Sequence, residues 1–336
     1  MLMNALERTL DFINNKDVDR VPFHPILMRF TARYGGVNYR DFCLKPEVKC
    51  AANIKCAEDF KYDWVNVMSD AYAEAEAYGD IIEYPVNNLP MLKKHAIENM
   101  SDIDKLMKPE INSHARLKAR IEEIETYRQE LGDSYMIAGW VEGPLGEYCD
   151  IRDMSMAMLD FYDNPAKLEM ALDIITEFSI EFVAAQISAG AHCIGIGDAA
   201  CSQISPDLYK DFIFEREKAI IDEVHTNGAI VKLHICGNTT AILPDMIKTG
   251  ADIVDIDHLV MSMSDFAPML SENQVFCGNS DPVSVIMDGS ANDIIASVEK
   301  CYRETNGRCI TSAGCEIPAE TSIENMNSYS EAAHKL

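Results

Sequence analysis

The sequence predicts an α/β protein that folds as a single (β/α)8 TIM barrel. Two observations support this fold: eight short apolar segments with strand propensity recur along the 336 residues, and helical stretches separate most of them. Gly228, Gly250 and Gly307 lie just before three of the segments, where the C-terminal caps of helices are expected. An open doubly wound sheet is the alternative, but no Gly-x-Gly-x-x-Gly fingerprint follows an early strand.

The alternation of strands and helices extends along the whole chain. We therefore expect one domain over residues 1–336, because an α/β barrel commonly stays undivided at this length. The interval between the second and third strands holds a proline-rich excursion and a charged helix, which is too much for one crossover. We expect an insertion over about residues 80–132, acting as a lid or a docking surface. The predicted strands are residues 21–27, 63–69, 134–140, 192–197, 230–236, 251–256, 274–278 and 308–312.

Net charge and cysteine usage limit the partners and the location of the protein. A formal net charge of −26 argues against nucleic-acid binding, which needs lysine and arginine to replace phosphate counterions. No run is long and apolar enough to span a bilayer, so we expect no membrane association. The eleven cysteines are odd in number and scattered, and the chain opens with an amphipathic helix instead of a signal peptide. We therefore expect free thiols and a cytoplasmic location.

His234 and Cys236 form the first part of a candidate metal site. Residues 230–233 predict a buried strand that Gly237 ends, so both side chains lie near the C-terminal end of the strand. Strand side chains alternate between faces, so His234 and Cys236 point the same way. Cys315 would supply a third ligand, and three protein ligands with an open fourth position are typical of catalytic zinc. The alternative is a satisfied core histidine with small buried cysteines.

Polar side chains also gather at the ends of the other predicted strands, where barrel enzymes carry their reacting groups. A buried polar group costs free energy unless it is paired, so these residues form either a hydrogen-bond network or a site. The candidate site residues are Arg29, Arg33, Asp70, Glu142, Asp198, Ser202, Asp257, His258 and Asn279.

Several of these candidates have structural alternatives. Arg29 and Arg33, four residues apart, either cover a helix face or clamp an anionic substrate. Asp70, like Asp281, would also serve as a helix N-cap. His258 is a candidate base, a neighbour of the metal ligands or a surface residue.

The motifs resemble the uroporphyrinogen decarboxylase superfamily and, within it, the cobamide-dependent methyltransferases of the methylcobamide:coenzyme M type. The resemblance covers almost the whole chain. Its strongest part runs from His-Ile-Cys-Gly-Asn-Thr-Thr at residues 234–240 to Ala-Gly-Cys at residues 313–315. The zinc signature of these methyltransferases, His-x-Cys followed much later by Cys, corresponds to His234, Cys236 and Cys315. The resemblance therefore implies zinc at these residues.

The resemblance implies methyl transfer between a corrinoid protein and a small substrate, with a thiol such as coenzyme M activated as a zinc thiolate. In this interpretation Glu142, Asp198 or Asp257 has a catalytic role, orienting the histidine ligand or filling the open ligand position. Arg29 or Arg33 would bind the anionic end of the substrate. The expected substrate-binding residues are Arg29, Arg33, Asp70, Ser202, His258 and Asn279.

Departures from the superfamily pattern bear on the alternative functions. The decarboxylases have Gly-His-Gly in the last strand-end loop, where this chain has Gly314-Cys315-Glu316, and their arginine loop survives only in part at residues 28–33. Metal-free decarboxylation of a porphyrinogen-like polycarboxylate is one alternative. Corrinoid-dependent demethylation of a methoxylated or methylated compound is another. A noncatalytic thiol- or corrinoid-binding barrel is the third.

Overall fold

Seven parallel strands form the central sheet in the computed structural model, which describes residues 3–336. The strands in chain order are β1 (Trp64–Asn66), β2 (Ile81–Glu83), β3 (Met91–Lys94), β4 (Met136–Glu142), β5 (Cys193–Gly197), β6 (Ile230–Ile235), β7 (Ile253–Ile256), β8 (Val275–Ser280) and β9 (Cys309–Ala313). β2 and β3 form a separate antiparallel hairpin, and the others pair in the order β1-β4-β5-β6-β7-β8-β9. The predicted α/β barrel fold is confirmed, with seven strands in place of eight.

The prediction of a first strand at residues 21–27 is wrong, although this segment does lie between the two edges of the sheet. Phe23 makes a single parallel bridge with Thr311 on β9, and its carbonyl accepts a 2.8 Å hydrogen bond from the amide of Asp63, just before β1. Pro22 and Pro25 have no backbone N–H, so a regular ladder cannot form here. The segment therefore connects the two edge strands of the sheet, β9 and β1, although it is not itself a strand.

Helices cover the outside of the sheet, and α4, α6, α9 and α11 pack side by side, as do α13 and α14. Strands that are buried on both faces are typical of such a layered α/β arrangement, and every residue of β5 and β8 is buried. The helices are α1 (Ala5–Ile13), α2 (Arg29–Tyr34), α3 (Tyr39–Leu44), α4 (Pro46–Phe60), α5 (Tyr72–Tyr78), α6 (Ala115–Leu131), α7 (Pro144–Arg152), α8 (Met154–Asp163), α9 (Pro165–Ala189), α10 (Pro206–Leu208), α11 (Phe214–Thr226), α12 (Leu243–Lys248), α13 (Ala291–Glu304) and α14 (Ile323–Ala333).

The region predicted as an insertion divides into two parts in the structure. Helix α6 packs against α4, α9 and β4, so it belongs to the outer helical layer of the barrel. The part outside this layer contains the β2–β3 hairpin and short 3₁₀ turns at Met100–Lys105 and Ile111–Ser113. The hairpin connection is held against α3, where the amide of Arg40 donates a 3.1 Å hydrogen bond to the carbonyl of Val86.

None of the helices in the described part of the chain combines the length and apolar character that crossing a membrane requires.

Asp63 ties the start of the chain to the barrel. Its carboxylate lies 2.6 Å from the Arg8 guanidinium and 2.8 Å from that of Arg20, and it accepts a 2.7 Å hydrogen bond from the amide of Phe23. Asp63 and Arg8 are both buried. Removing one partner of such a pair leaves a buried charge without compensation.

We expect Asp63→Ala to lower the free energy of unfolding by about 3–5 kcal/mol, measured by urea denaturation. Asp222→Ala is the matched control, because Asp222 forms a solvent-exposed ion pair with Lys218 on one helix and such pairs contribute little. Equal midpoints for the two variants would contradict the proposed importance of Asp63.

Candidate metal centre

The structure brings together the three side chains that the sequence predicts as metal ligands. His234 lies on β6, Cys236 follows this strand, and Cys315 lies in the loop after β9. Nε2 of His234 is 2.8 Å from Sγ of Cys236, which is 3.4 Å from Sγ of Cys315. All three ligand atoms lie within 4.8 Å of one another. An imidazole and two thiols are a preferred donor set for zinc.

Two glycines allow the loops that carry the cysteines to pack closely against neighbouring loops at the C-terminal ends of the strands, which form the mouth of the barrel. Gly237 has φ +91°, and a Cβ there would lie 2.7 Å from Oγ of Ser202. A Cβ at Gly314 would lie 2.3 Å from the amide nitrogen of His258. The Asp257 carboxylate fixes the first loop by accepting a 2.9 Å hydrogen bond from the amide of Gly237. A side chain at either glycine would therefore force one cysteine loop away from its position.

The three predicted ligands influence one another's protonation. The hydrogen bond with Cys315 and burial raise the pKa of Cys236 far above its usual range. The same hydrogen bond, opposed by burial and assisted by His234, lowers the pKa of Cys315 to about 5. Burial lowers the pKa of His234, but Asp255 and Cys315 outweigh it and raise the pKa to about 10. The two sulfur atoms and the imidazole therefore titrate as one coupled group instead of independently.

A cavity of about 170 Å³ opens beside the three ligands. Its walls are mainly apolar and carry three carboxyl groups, so the site offers both a dry surface and proton-accepting or cation-binding groups. Besides the three ligands, the lining residues are Ile26, Met28, Met68, Asp70, Ala71, Trp140, Glu142, Gly197, Ala199 and Glu316.

Trp140 and Glu142, two residues apart on β4, both line the cavity. The indole Nε1–H of Trp140 donates a 2.8 Å hydrogen bond to Oε1 of Glu142. Gly197, on the neighbouring strand, lies between Glu142 and His234 in the parallel register. A Cβ at Gly197 would lie 2.4 Å from Cζ2 of Trp140 and 3.3 Å from Oε2 of Glu142. The missing side chain thus leaves room for the indole and leaves the Oε2 atom of Glu142 facing the gap.

The three predicted catalytic carboxylates lie in different environments. Glu142 lines the cavity, and burial together with the charges of Glu74 and Asp150 raises its pKa well above the usual value. Asp257 holds the amide of Gly237, as described above. No carboxylate of this predicted set contacts Nδ1 of His234.

Asp198 points away from the cavity, into the N-terminus of α7. Its carboxylate accepts hydrogen bonds of 2.6 Å from the amide of Gly146 and 3.3 Å from that of Leu145. It also forms a buried cluster with Cys201 and Glu217. Burial, partly opposed by the two amides, raises the pKa of Asp198 to about 6. These contacts join α7 to the turn that follows β5, and Asp198 does not line the cavity.

The predicted substrate-binding residues are also divided. Asp70 lines the cavity, and its carboxylate lies 2.6 Å from the Arg116 guanidinium. Burial raises the pKa of Asp70, but Arg116 outweighs it, so the pKa falls well below the usual range. Asn279 donates 3.3 Å and 2.8 Å hydrogen bonds to the carbonyls of Asp257 and Val260, so its amide fixes a loop.

Ser202 and His258 lie at the edge of the site. The Ser202 hydroxyl donates a 2.9 Å hydrogen bond to the carbonyl of Ala199, which lines the cavity. The ring of His258 lies between the carboxylates of Asp257 and Asp281. Asp281 is also the N-cap of a π-helical turn, accepting hydrogen bonds from the amides that follow it, as its structural alternative predicts.

Arg29 and Arg33 line a second cavity of about 380 Å³, together with Tyr39 and the hairpin residues Asn87 and Asn88. The Nε atom of Arg29 is buried without a hydrogen-bond partner among the described residues. It lies 3.8 Å from the carboxylate of Glu316, which lines the first cavity. One guanidinium N–H of Arg33 donates a 2.6 Å hydrogen bond to the carbonyl of Thr321.

Three site residues were not identified from the sequence. Asp255 lies 2.8 Å from Nδ1 of His234 and 2.8 Å from Nζ of Lys232. Strand alternation places Lys232 on the same face as His234, so the sequence does contain a signal for this residue. Glu316 follows Cys315 directly and accepts a 3.0 Å hydrogen bond from the amide of Arg29, a contact that no local pattern indicates.

The fold and the residues at its mouth define an α/β barrel with a candidate imidazole–thiol metal centre. Residues 4–336 match the model of the uroporphyrinogen decarboxylase (URO-D) family, and the chain belongs to this family. The family predicted from the sequence motifs is thereby confirmed.

Individual relatives fall into two groups. The chain is 27% identical over 275 residues to methylcobamide:CoM methyltransferase MtbA of Methanosarcina mazei, covering 81% of this chain and 79% of the relative. It is 25% identical over 348 residues to uroporphyrinogen decarboxylase of Geobacter sulfurreducens, covering 98% of both. A solved methyltransferase from Methanosarcina mazei has a TM-score of 0.90 at 24% identity over 99% of both chains, which shows a shared fold.

We expect Gly197→Ala to displace the Trp140 indole, because the new methyl group overlaps the ring. Such overpacking lowers the free energy of unfolding by about 1–3 kcal/mol and should change the near-ultraviolet circular dichroism. The control is the same substitution in a Trp140→Leu background, where the overlap is absent and the cost should shrink. Equal costs in both backgrounds would show that the two residues do not compete for this space.

Proposed function

We propose that the protein transfers a methyl group between a corrinoid protein and a small thiol, at a zinc ion held by His234, Cys236 and Cys315. The convergence of two thiols and one imidazole nitrogen within 4.8 Å, beside a cavity, carries the proposal. This donor set fits zinc, and three ligands leave a position for a substrate. The similarity to methylcobamide:CoM methyltransferase MtbA supports the corrinoid and the thiol.

In the proposed reaction the thiol sulfur forms a bond to the methyl carbon as the carbon–cobalt bond breaks. The electron pair of that bond stays on cobalt, and the thiol proton is released. When bound, zinc would lower the pKa of the thiol and keep it as a nucleophilic thiolate. The apolar walls formed by residues such as Met28 and Met68 exclude water from the sulfur.

Glu142 is the proposed acceptor of the thiol proton. Glu142 lines the cavity, whereas Asp198 and Asp257, the other two predicted catalytic carboxylates, do not. Its Oε1 atom accepts a hydrogen bond from Trp140, and its Oε2 atom lies toward Gly197. In the carboxylate form Oε2 can accept the proton, and burial with nearby acidic groups raises the pKa of Glu142, so the proton is held more strongly than on an exposed glutamate. The proton then leaves for solvent through the open side of the cavity.

Arg29 is the proposed partner for an anionic group at the far end of the thiol. Arg29 lines the second cavity, its Nε lies 3.8 Å from Glu316 of the first cavity, and its Nε–H lacks a hydrogen-bond partner within the described residues. A ligand extending from the metal centre past Glu316 would reach it. Arg33, which lines the same cavity, adds a second positive charge.

We place this reaction in the cytoplasm. All eleven cysteines are free, including buried ones outside the candidate metal centre such as Cys50 and Cys56 on α4. A reducing compartment maintains cysteines in this state.

Decarboxylation is the second candidate function, because the similarity to uroporphyrinogen decarboxylase of Geobacter sulfurreducens extends over 98% of both chains. In that reaction the two thiols would have no assigned role. Metal content therefore separates the two candidates.

Protein purified without chelators should contain about one zinc per chain, and Cys236→Ala and Cys315→Ala should each lose it. Both variants should also lose thiol-dependent demethylation of methylcobalamin, followed by the change in its absorption spectrum. Cys56→Ala is the control, because this buried thiol lies on α4, outside the site, and should keep both properties. A fully active protein without metal would rule out the proposed centre.

Arg29→Gln should raise KM for coenzyme M, an anionic thiol, by about 10- to 100-fold, the range expected for a charged hydrogen bond of about 1.5–3 kcal/mol. Its effect on 2-mercaptoethanol, which has no anionic group, should be small. Arg40→Gln is the control, because Arg40 binds the carbonyl of Tyr84 on the hairpin. An equal loss with both thiols would contradict the assigned contact.

A further inference from the structure

A buried ion pair lies directly behind the candidate metal centre, inside the barrel. Asp255 on β7 stands opposite His234 on β6 in the parallel register, and Lys232 precedes His234 by two residues on the same face. The Asp255 side chain has no exposed surface, and that of Lys232 is 3% exposed. Burying two charged groups costs desolvation free energy that their mutual attraction only partly offsets, so the pair needs a role beyond stability.

Both partners of Asp255 converge on one oxygen atom. Oδ2 lies 2.8 Å from Nδ1 of His234 and 2.8 Å from Nζ of Lys232. Both contacts are short ion-pair distances, and neither carboxylate oxygen of Asp255 has another hydrogen-bond donor among the described residues. The carboxylate is thus available to the ring nitrogen that faces away from the cysteines.

The position of Asp255 determines which imidazole nitrogen can bind a metal. Nε2 faces Cys236 at 2.8 Å, so Nδ1 must carry the proton when Nε2 offers its lone pair. A carboxylate that accepts this Nδ1 proton fixes both the tautomer and the angle of the ring. Lys232 holds the same carboxylate oxygen and thereby prevents Asp255 from turning toward the thiols.

We infer that Asp255, held by Lys232, is the positioning residue that presents Nε2 of His234 to the metal and so sets the metal affinity of the site. The inference rests on the proposed function only in requiring that the site binds a metal. Neither residue lines the substrate cavity. Their effect is therefore on the histidine ligand and through it on the metal.

The test is the dissociation constant for Zn²⁺, measured by competition with a chromophoric chelator. Asp255→Asn should weaken binding about 10- to 100-fold, the range found when such supporting partners are removed. The thiolate-to-cobalt absorption of the Co²⁺-loaded variant should persist, because both cysteines remain. A merely structural contribution of Asp255 would lower thermal stability and leave the dissociation constant unchanged.

Asp255→Asn leaves Lys232 buried without its counter-charge, so the double variant Lys232→Met/Asp255→Asn is also required. It removes both charges and should fold more stably than the single variant while its affinity for Zn²⁺ remains weak. If both variants bind Zn²⁺ as tightly as the unmodified protein, the inference is overturned.

Asp252→Asn is the matched control. Asp252 also contacts a histidine at 2.8 Å, but this is His225, at the opposite end of β7 from the mouth. Its Zn²⁺ affinity should equal that of the unmodified protein, and an equal loss there would overturn the specific assignment to Asp255. Absence of any metal binding by the unmodified protein would overturn the proposed function as well.

Discussion

The candidate site depends on parallel packing that brings the C-terminal ends of β6 and β9 to one mouth. Cys236 and Cys315 are 79 residues apart, yet their sulfur atoms are separated by 3.4 Å. In an α/β barrel all strand ends of one polarity lie on the same face, so distant residues meet there. The register matters equally: a slip of one residue in β6 would turn His234 to the opposite face of the sheet.

The barrel interior near this mouth carries charges that hydrophobic packing alone would exclude. Lys232 with Asp255 and Arg116 with Asp70 form short, buried ion pairs. A buried pair stabilises a fold little, because desolvation cancels most of the attraction, whereas breaking it is costly. Such pairs are therefore better explained by the orientation they impose than by stability. Each fixes a group that borders the ligands or the cavity.

Much of the fold could be predicted from the sequence, because buried parallel strands produce apolar runs that alternate with helical segments. Phe23 shows where this reasoning fails: the apolar run is present, but the prolines around it remove ladder donors, so the segment pairs through a single bridge. Alternation along β6 correctly placed His234 and Cys236 on one face. Cys315 was a candidate third ligand by its residue type alone, and the family resemblance strengthened the prediction, since no local pattern relates residues so far apart.

The directions of side chains at strand ends could not be predicted in this way. Asp198 and Glu142 end neighbouring strands, but one carboxylate turns into the N-terminus of a helix and the other lines the cavity. The free amides of that helix attract the Asp198 carboxylate, a tertiary contact that the sequence does not display. The contact between Asp255 and His234 could not be predicted for a related reason: it depends on the register between two strands, not on spacing within one.

The dimensions of the mouth bear on the choice between methyl transfer and decarboxylation. A cavity of about 170 Å³ lies below the range of about 300–1,000 Å³ that houses drug-sized ligands. A porphyrinogen-like polycarboxylate is larger than such ligands and needs several cationic partners. Arg116 beside this cavity forms an ion pair with Asp70, and Arg120 forms one with Glu74. The proposed small thiol needs less space than a tetrapyrrole and only one cationic partner, for which Arg29 is the candidate.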